Sequence, residues 1–329
     1  MRRSIAIAAA VLAASTLAAK AAWTVLTLPD TTSGATSSMG HLADGRFVYG
    51  HNGALLQQNS FGASPATKPY TNAPAGDYAF VTAGHIARYN TGTASYDGAN
   101  TGTAFTTRNT TITSPYAGVA TSAGGLLMTG AVGFGSSGVF HLSAAGTFTT
   151  LVNGFSPWSG GIALNPNATG AAAYAFVAFA GPDGNNNNIY SFSRDQIDGA
   201  IVGSALSLVD ATLVGNLTDT SSLAYDPVQN RLYGAGYNEP GTIHILDLDT
   251  NVTGKLTLPG VATNTSVMTF TDGGTSYVGW LSIDGWSGGS HVTYGYDAAS
   301  LVAIPEPGTA LVLTVVLGVA VLRRTRIAA

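Results

Sequence analysis

Short stretches in which apolar and polar residues alternate, separated by polar turns, recur along most of this chain. Such alternation is typical of half-buried β-strands, and residues 242–248 are a clear example. Four long stretches repeat the order strand, turn, strand, hairpin, and two weaker ones precede them. The repeats begin at His41, Asp77, Gly118, Gly161, Ser222 and Ser266. No stretch between residues 22 and 303 shows convincing helical periodicity, so we expect an all-β body.

The spacing of these repeats predicts a β-propeller. The four strong repeats start 43, 61 and 44 residues apart, and four-stranded propeller blades recur about every 40 to 45 residues. Six repeats over residues 22–303 leave room for six or seven blades. Residues 23–28 alternate and are expected to add a strand to the last blade, which would close the ring. A pair of β-sandwiches or a β-solenoid is the alternative fold.

Residues 222–260 give the most detailed prediction. Strands are expected at 222–225, 231–236, 242–248 and 255–258, with a turn at Asp226, Pro227 and Asn230. This unit resembles a blade of the YVTN and NHL propellers, in which "nRLY" and "IxxxDLxT" recur. Asp247, Asp249 and Thr250 occupy the matching positions. By contrast, residues 195–220 fit either a decorated loop or a weakly matching blade.

The two ends of the chain predict export. Residues 1–21 have a basic start, an apolar stretch and the small residues Ala19 and Ala21 of a cleavage site, so a signal helix is expected to end there. The mature chain would then begin at Ala22.

The tail, residues 304–329, resembles the PEP-CTERM sorting signal of Gram-negative envelope proteins. It contains Pro305, Glu306 and Pro307, then an apolar run over 308–322, then Arg323, Arg324 and Arg326. The resemblance implies recognition by an exosortase at the inner membrane, usually in bacteria that make exopolysaccharide. The apolar run predicts a short transmembrane helix with the arginines in the cytoplasm. An ordinary anchor that is never cut is the alternative.

Composition limits the chemistry. The chain has no cysteine and carries a net charge of −4. Between the two terminal segments only seven basic residues face sixteen acidic ones, which leaves the body near −9. Such a body is not expected to bind nucleic acid. With no thiol available, disulfides and cysteine catalysis are excluded.

Several motifs match a catalytic or binding pattern only formally. Gly133, Gly135 and Gly138 form a GxGxxG, but another strand pattern follows where a dinucleotide site needs a helix, so we interpret them as a hairpin. Ser287 lies in a GxSxG, but no histidine follows the next aspartate in the order that a hydrolase requires.

Metal sites are weakly indicated. The histidines are scattered without a ligand spacing, and we expect ordinary strand residues. The stretches that begin at Asp247 and Asp183 start like calcium loops but lack the glycine and glutamate of an EF-hand. No cofactor is therefore expected, with calcium a weak alternative.

Aromatic residues provide the best binding candidates. Trp280, Trp286, Tyr294 and Tyr296 cluster near the end of the body, and aromatic faces suit either sugar rings or packing between blades. We expect a non-catalytic structural or glycan-binding propeller at the cell surface or in the extracellular matrix, with exopolysaccharide or surface proteins as partners. The alternative is a secreted hydrolase or lyase that acts on polysaccharide through paired aspartates.

Overall fold

The computed structural model describes one short N-terminal strand and most of residues 39–297. The described residues are 24–27, 39–42, 44–51, 54–58, 77–81, 85–90, 92–97, 105–132, 137–155, 159–180, 187–218, 220–235, 239, 241–257, 263–272, 274–283 and 292–297. They form six antiparallel sheets, which we number in chain order. The prediction of an all-β body is confirmed.

The first three sheets follow one another along the chain. The first sheet contains Met39–His41, Phe47–His51 and Ala54–Gln58. The second contains Asp77–Val81, His85–Asn90, Thr93–Asp97 and Thr106–Asn109. The third contains Ser114–Ala120, Leu126–Ala131, Ser137–Leu142 and Phe148–Phe155. In each of them every strand pairs with the next one in sequence.

The last three sheets have four strands each. The fourth contains Ser159–Leu164, Ala173–Ala180, Asn187–Ser193 and Thr212–Leu217. The fifth contains Ser222–Asp226, Arg231–Ala235, Thr242–Asp247 and Val252–Thr257. The sixth contains Thr263–Asp272, Thr275–Ile283 and Val292–Asp297, and its fourth strand is the N-terminal Thr24–Thr27.

The sheets are arranged in a ring. The first strand of each sheet lies beside the first strands of the sheets before and after it, and that of the sixth lies beside that of the first. The N-terminal strand pairs antiparallel with Val292–Asp297, from Thr24 opposite Gly295 to Thr27 opposite Val292. The predicted contribution of residues 23–28 to the last sheet is thus confirmed. It joins the two ends of the body in one sheet.

The core lies between the sheets. One apolar cluster joins the third and fourth sheets through residues such as Leu127, Val152 and Val177, and another joins the fourth and fifth through Phe176 and Leu232. Side-chain hydroxyls reinforce the contacts: Thr129 Oγ1 donates to the Gly160 oxygen at 2.8 Å. A Cβ on Gly161 would collide with the Leu223 backbone, so glycine permits the close approach of the fourth and fifth sheets.

The fourth sheet carries an insertion, residues 194–211, between its third and fourth strands. Helix α1 spans Arg194–Val202, and a 3₁₀ turn spans Leu208–Asp210. Residues 195–220 are therefore a decorated connection followed by the sheet's fourth strand. Our expectation of a body without a helix is wrong here. The signal was the capping box, in which Ser193 and Gln196 each bond the other's backbone amide.

Candidate functional site

Three of the four aromatic residues proposed for glycan contact are strand positions of the sixth sheet. Trp280 lies directly opposite Tyr294, and Tyr296 lies opposite Val278. Directly paired residues of an antiparallel sheet belong to the same face, so these aromatic positions share one. Trp286 lies outside the described residues. The register therefore brings together positions that the sequence pattern left separate.

The same face also contributes to the core. Val278 is fully buried, and Val267, which lies opposite Trp280, is 4% exposed. At these two positions, therefore, this face of the sixth sheet is buried in the core.

A buried polar group joins the fifth and sixth sheets, and we call it the Asp226 cluster. Its members are Asp226, Arg231, Tyr233, Asp247 and Ser276. Asp226 is fully buried; one of its oxygens accepts from the backbone amides of the following turn, at 2.8 and 3.3 Å. The other accepts from Ser276 Oγ of the sixth sheet at 2.9 Å. The cluster thus fixes a turn and fastens two sheets together.

An ion pair completes the Asp226 cluster. Arg231 Nε donates to Asp247 Oδ2 at 2.9 Å, and both side chains are largely buried. Burial opposes the charge of Asp247, but hydrogen bonds from Arg231 and Thr250 prevail and lower its pKa. Burial and the charge of Asp226 raise the pKa of Tyr233. The carboxylates are committed to protein donors, so the cluster's role is structural.

The same contacts bear on the calcium loop weighed at Asp247. Asp247 Oδ1 accepts from the Thr250 amide at 3.0 Å and from its hydroxyl at 2.8 Å, while Asp249 Oδ1 accepts from Asn230 Nδ2 at 2.6 Å. These carboxylate oxygens therefore accept hydrogen bonds from protein donors and stabilise the turn. Asp183, which begins the second such stretch, lies outside the described residues.

A second polar group lies at the outer side of the fifth sheet. Lys255 Nζ lies 3.1 Å from Glu239 Oε2, and His244 Nε2 lies 3.4 Å from the same oxygen. His244 is 3% exposed, whereas Glu239 and Lys255 are partly exposed. The Glu239 carboxylate therefore lies close to both His244 and Lys255, which are direct cross-strand partners.

No metal centre is assembled by the residues that the structure describes, since they contain no group of three or more histidine, aspartate or glutamate side chains placed to hold an ion. His141 lies in the third sheet and His244 in the fifth, each buried. Burial lowers the pKa of His141, and the charge of Asp198 opposes that shift. His291 lies outside the described residues.

Of the two glycine motifs, GxGxxG and GxSxG, the structure describes part of the first. Gly138 belongs to strand Ser137–Leu142, which pairs antiparallel with Leu126–Ala131 and then with Phe148–Phe155. A strand follows the GxGxxG, as we predicted, and the hairpin interpretation is confirmed. The GxSxG at Ser287 lies outside the described residues.

The insertion contains interactions that sequence reasoning missed. The Arg194 guanidinium lies 4.6 Å above the ring of Tyr174 and pairs with Asp198 at 2.8 Å. Leu206 forms a parallel bridge with Val152: its amide donates to the Leu151 oxygen at 2.7 Å. The insertion therefore fastens the fourth sheet to the outer strand of the third.

The predicted targeting residues lie outside the described part of the chain. They are Ala19, Ala21, Pro305, Glu306, Pro307, Arg323, Arg324 and Arg326. Among the described residues, no helix combines the length and the apolar character needed to span a bilayer. The signal helix and the transmembrane helix over 308–322 thus stay predictions.

Comparison with known proteins identifies the fold. No protein-family model and no curated protein matches the chain. Among solved structures, it is similar to a candidate gluconolactonase, with 11% identity, a TM-score of 0.59, and coverage of 85% of this chain and 93% of the other.

Two further solved structures are similar to this chain over most of its length. The PQQ-bound aldose sugar dehydrogenase of Streptomyces coelicolor is 11% identical, with a TM-score of 0.53 over 84% of this chain and 99% of the other. The β-propeller domain of Cps50 (Swd1) from Myceliophteria thermophila is 7% identical, with a TM-score of 0.54 over 82% and 98%. The body of the chain is therefore a β-propeller. At such identities the likeness establishes the fold and leaves activity open.

Proposed function

We propose that this protein is an exported, six-bladed β-propeller that is sorted through its tail to the cell surface or extracellular matrix. There it acts without catalysis, as a structural or glycan-binding module. The six sheets of the described residues support the blade number, because the first strand of the last lies beside that of the first. Resemblance of residues 304–329 to a PEP-CTERM signal supports the sorting route.

One observation carries the proposal: the two ends of the body leave it at one corner. Thr24 lies opposite Gly295 in adjacent antiparallel strands, so the chain before Thr24 and the chain after Asp297 depart from the same end of the sixth sheet. Adjacent strands lie about 5 Å apart. A signal peptide and a membrane tail attached there can both reach one membrane without the chain crossing the body.

The distances along the chain fit that arrangement. Two residues separate the proposed cleavage site after Ala21 from the strand that starts at Thr24, and seven separate Asp297 from Pro305. Seven extended residues span about 24 Å at most. The Pro-Glu-Pro triplet would therefore be held close to the closed body while the exosortase acts on it at the membrane surface.

The sorting step is tested in the native host by comparing the protein with a variant in which Pro305, Glu306 and Pro307 are all alanine. We expect the unaltered protein to lose both terminal segments, and the variant to stay in the membrane fraction at a higher mass. Val302→Ala is the matched control, and it should be processed normally. An uncut tail in every strain would contradict sorting and leave an ordinary anchor.

The glycan-binding part is tested with the host's exopolysaccharide. We expect Trp286→Ala to weaken binding about tenfold, which corresponds to roughly 1.4 kcal/mol, without changing the unfolding midpoint. Trp158→Ala, the same change at a distant position in the sequence, is the control. We expect Trp280→Ala to lower the midpoint as well, because its strand neighbour Val278 is buried. Equal binding by all variants would refute a glycan site here and favour a purely structural body.

A further inference from the structure

An exposed asparagine followed by glycine lies in the outer strand of the third sheet. Asn153 and Gly154 are both solvent-exposed, and they belong to strand Phe148–Phe155. The sequence contains this dipeptide at one other place, Asn52–Gly53, which lies outside the described residues. Every other asparagine that the structure describes is followed by a residue with a side chain. Asn153 is thus distinguished by the small residue that follows it.

The absence of a side chain on the next residue matters for the chemical stability of an asparagine. The backbone nitrogen of that residue can attack the side-chain carbonyl carbon and close a succinimide ring. The bond from this carbon to the side-chain amide nitrogen breaks, and ammonia leaves with the backbone proton. Water then opens the ring at either carbonyl, which gives aspartate or isoaspartate. A Cβ on the attacking residue would hinder closure of the ring, and glycine has none.

The local backbone leaves room for this attack. Gly154 has a φ of +83°, and apart from its chain neighbours no atom lies within 4 Å of the position that a Cβ would occupy. The pairing with the neighbouring strand skips Gly138 on one side and both Asn153 and Gly154 on the other, so the outer strand contains a β-bulge. A bulge interrupts the ladder of hydrogen bonds that otherwise holds backbone amides in place.

Other exposed asparagines lack this arrangement. Asn167 precedes Ala168 and Asn216 precedes Leu217, and both of the following residues are buried. The side chain of Asn216 also donates from Nδ2 to Asn188 Oδ1 at 3.1 Å. A buried side chain holds its backbone nitrogen in place, because protein interiors are close-packed. These asparagines are therefore expected to react more slowly than Asn153.

We propose that Asn153 is a site of spontaneous deamidation, at which the folded protein converts this side chain to aspartate and isoaspartate through attack by the Gly154 nitrogen. Water is the only co-reactant, so the step needs no enzyme. Each event replaces a neutral amide by a carboxylate on a body whose net charge is already near −9. This inference does not depend on the proposed sorting or on glycan binding.

The two products should differ in stability, because Asn153 lies where the insertion is attached to the third sheet. Its amide donates to the Leu206 oxygen at 3.2 Å, beside the bridge that joins the insertion to the outer strand. Isoaspartate lengthens the backbone after this residue by one carbon atom, so Phe155 cannot keep its present register opposite Ser137. Aspartate leaves the backbone length unchanged. The isoaspartyl form should therefore unfold at a lower urea concentration than the aspartyl form.

Peptide mass spectrometry of the folded protein, as its host makes it, tests the site during incubation at mildly alkaline pH. We expect Asn153 to gain the mass difference between NH₂ and OH at least about tenfold faster than Asn167 or Asn216, with fragmentation locating the change. The same protein unfolded in urea gives the rate of each site without structure. The proposal would be overturned by an Asn153 that keeps its amide while the unfolded chain loses it, or that reacts no faster than Asn167.

Two variants separate the chemistry from its consequence. Asn153→Gln keeps a side-chain amide but would have to close a larger ring, so position 153 should keep its mass. A glutamine that is lost as fast as the asparagine would contradict the ring-closing attack. Asn153→Asp gives the aspartyl form directly and should have the urea midpoint of the wild type, whereas the isoaspartyl form isolated from aged wild type should have a lower one. Equal midpoints for these two forms would refute the loss of register.

Discussion

The fifth sheet and the insertion of the fourth sheet differ in how their structure is specified. In the fifth sheet the turns follow from residues within the turn: Asp226 accepts from two of its amides, and Asn230 and Asn251 adopt positive φ values of 49° and 55°. In the insertion, helix α1 is supported by buried contacts with another sheet. Locally specified structure can be read from a sequence, whereas structure supported by distant partners cannot.

The largest expected effect concerns the Asp226 cluster. Asp226→Ala leaves two turn amides and the Ser276 hydroxyl without their acceptor in a buried place, and we expect the unfolding free energy to fall by about 3 kcal/mol. Urea denaturation measures this loss. Asp249→Ala, an exposed carboxylate in the same sheet, is the control and should cost less than about 1 kcal/mol. Equal losses would mean that the buried cluster is no more important than its exposed neighbour.

A slightly smaller effect is expected for the buried side of helix α1. Ile197→Ala removes three carbon atoms from the core between the third and fourth sheets, and should cost about 2 to 3 kcal/mol. Val202→Ala, in the same helix but 88% exposed, should change the unfolding free energy by less than about 0.5 kcal/mol. If Ile197→Ala were equally mild, the insertion would be an appendage and not part of the core.

The N-terminal cap of helix α1 should contribute less. Ser193 Oγ accepts from the Gln196 amide at 3.2 Å, and Ser193→Ala is expected to cost about 1 kcal/mol. Ser193→Asp keeps an acceptor at this position and should restore most of the loss. Identical urea midpoints for alanine and aspartate would show that the helix is held by its packing alone.

The propeller architecture limits what the alternation of apolar and polar residues along a strand can predict about burial. Leu126–Ala131 and Ser137–Leu142 are buried at every described position, because both faces of the sheet pack against neighbours. The repeat starts near Gly118, Gly161 and Ser266 lie within a few residues of the observed first strands, since turns punctuate the sequence wherever the chain reverses. Alternation assigns the aromatic positions Trp280 and Tyr294 a face of their strands, but it could not show that they lie opposite each other, which the register of the sixth sheet shows.

In the candidate site, too, some contacts could be predicted from the sequence and others could not. The pairing of Arg231 with Asp247 follows from the blade motif, which places the two residues directly opposite each other. Ser276 could not have been assigned to Asp226, because the two lie 50 residues apart in different sheets. Contacts within one sheet were accessible from the register, and contacts between sheets required the structure.

The smallest effect is a dependence of stability on pH, and it separates the charge of Asp247 from its shape. Hydrogen bonds hold the pKa of Asp247 below its usual value of about 4. A lowered pKa means that ionised Asp247 stabilises the folded state above that value, and that this stabilisation is lost as the pH falls through the lower, folded-state pKa. Asp247→Asn keeps the side-chain shape but removes the charge, so the wild type should exceed it in unfolding free energy at pH 7. This difference should shrink at pH 3, when both are measured by urea denaturation. A difference that is equal at the two pH values would mean that the turn geometry, and not the ion pair with Arg231, accounts for the contribution of Asp247.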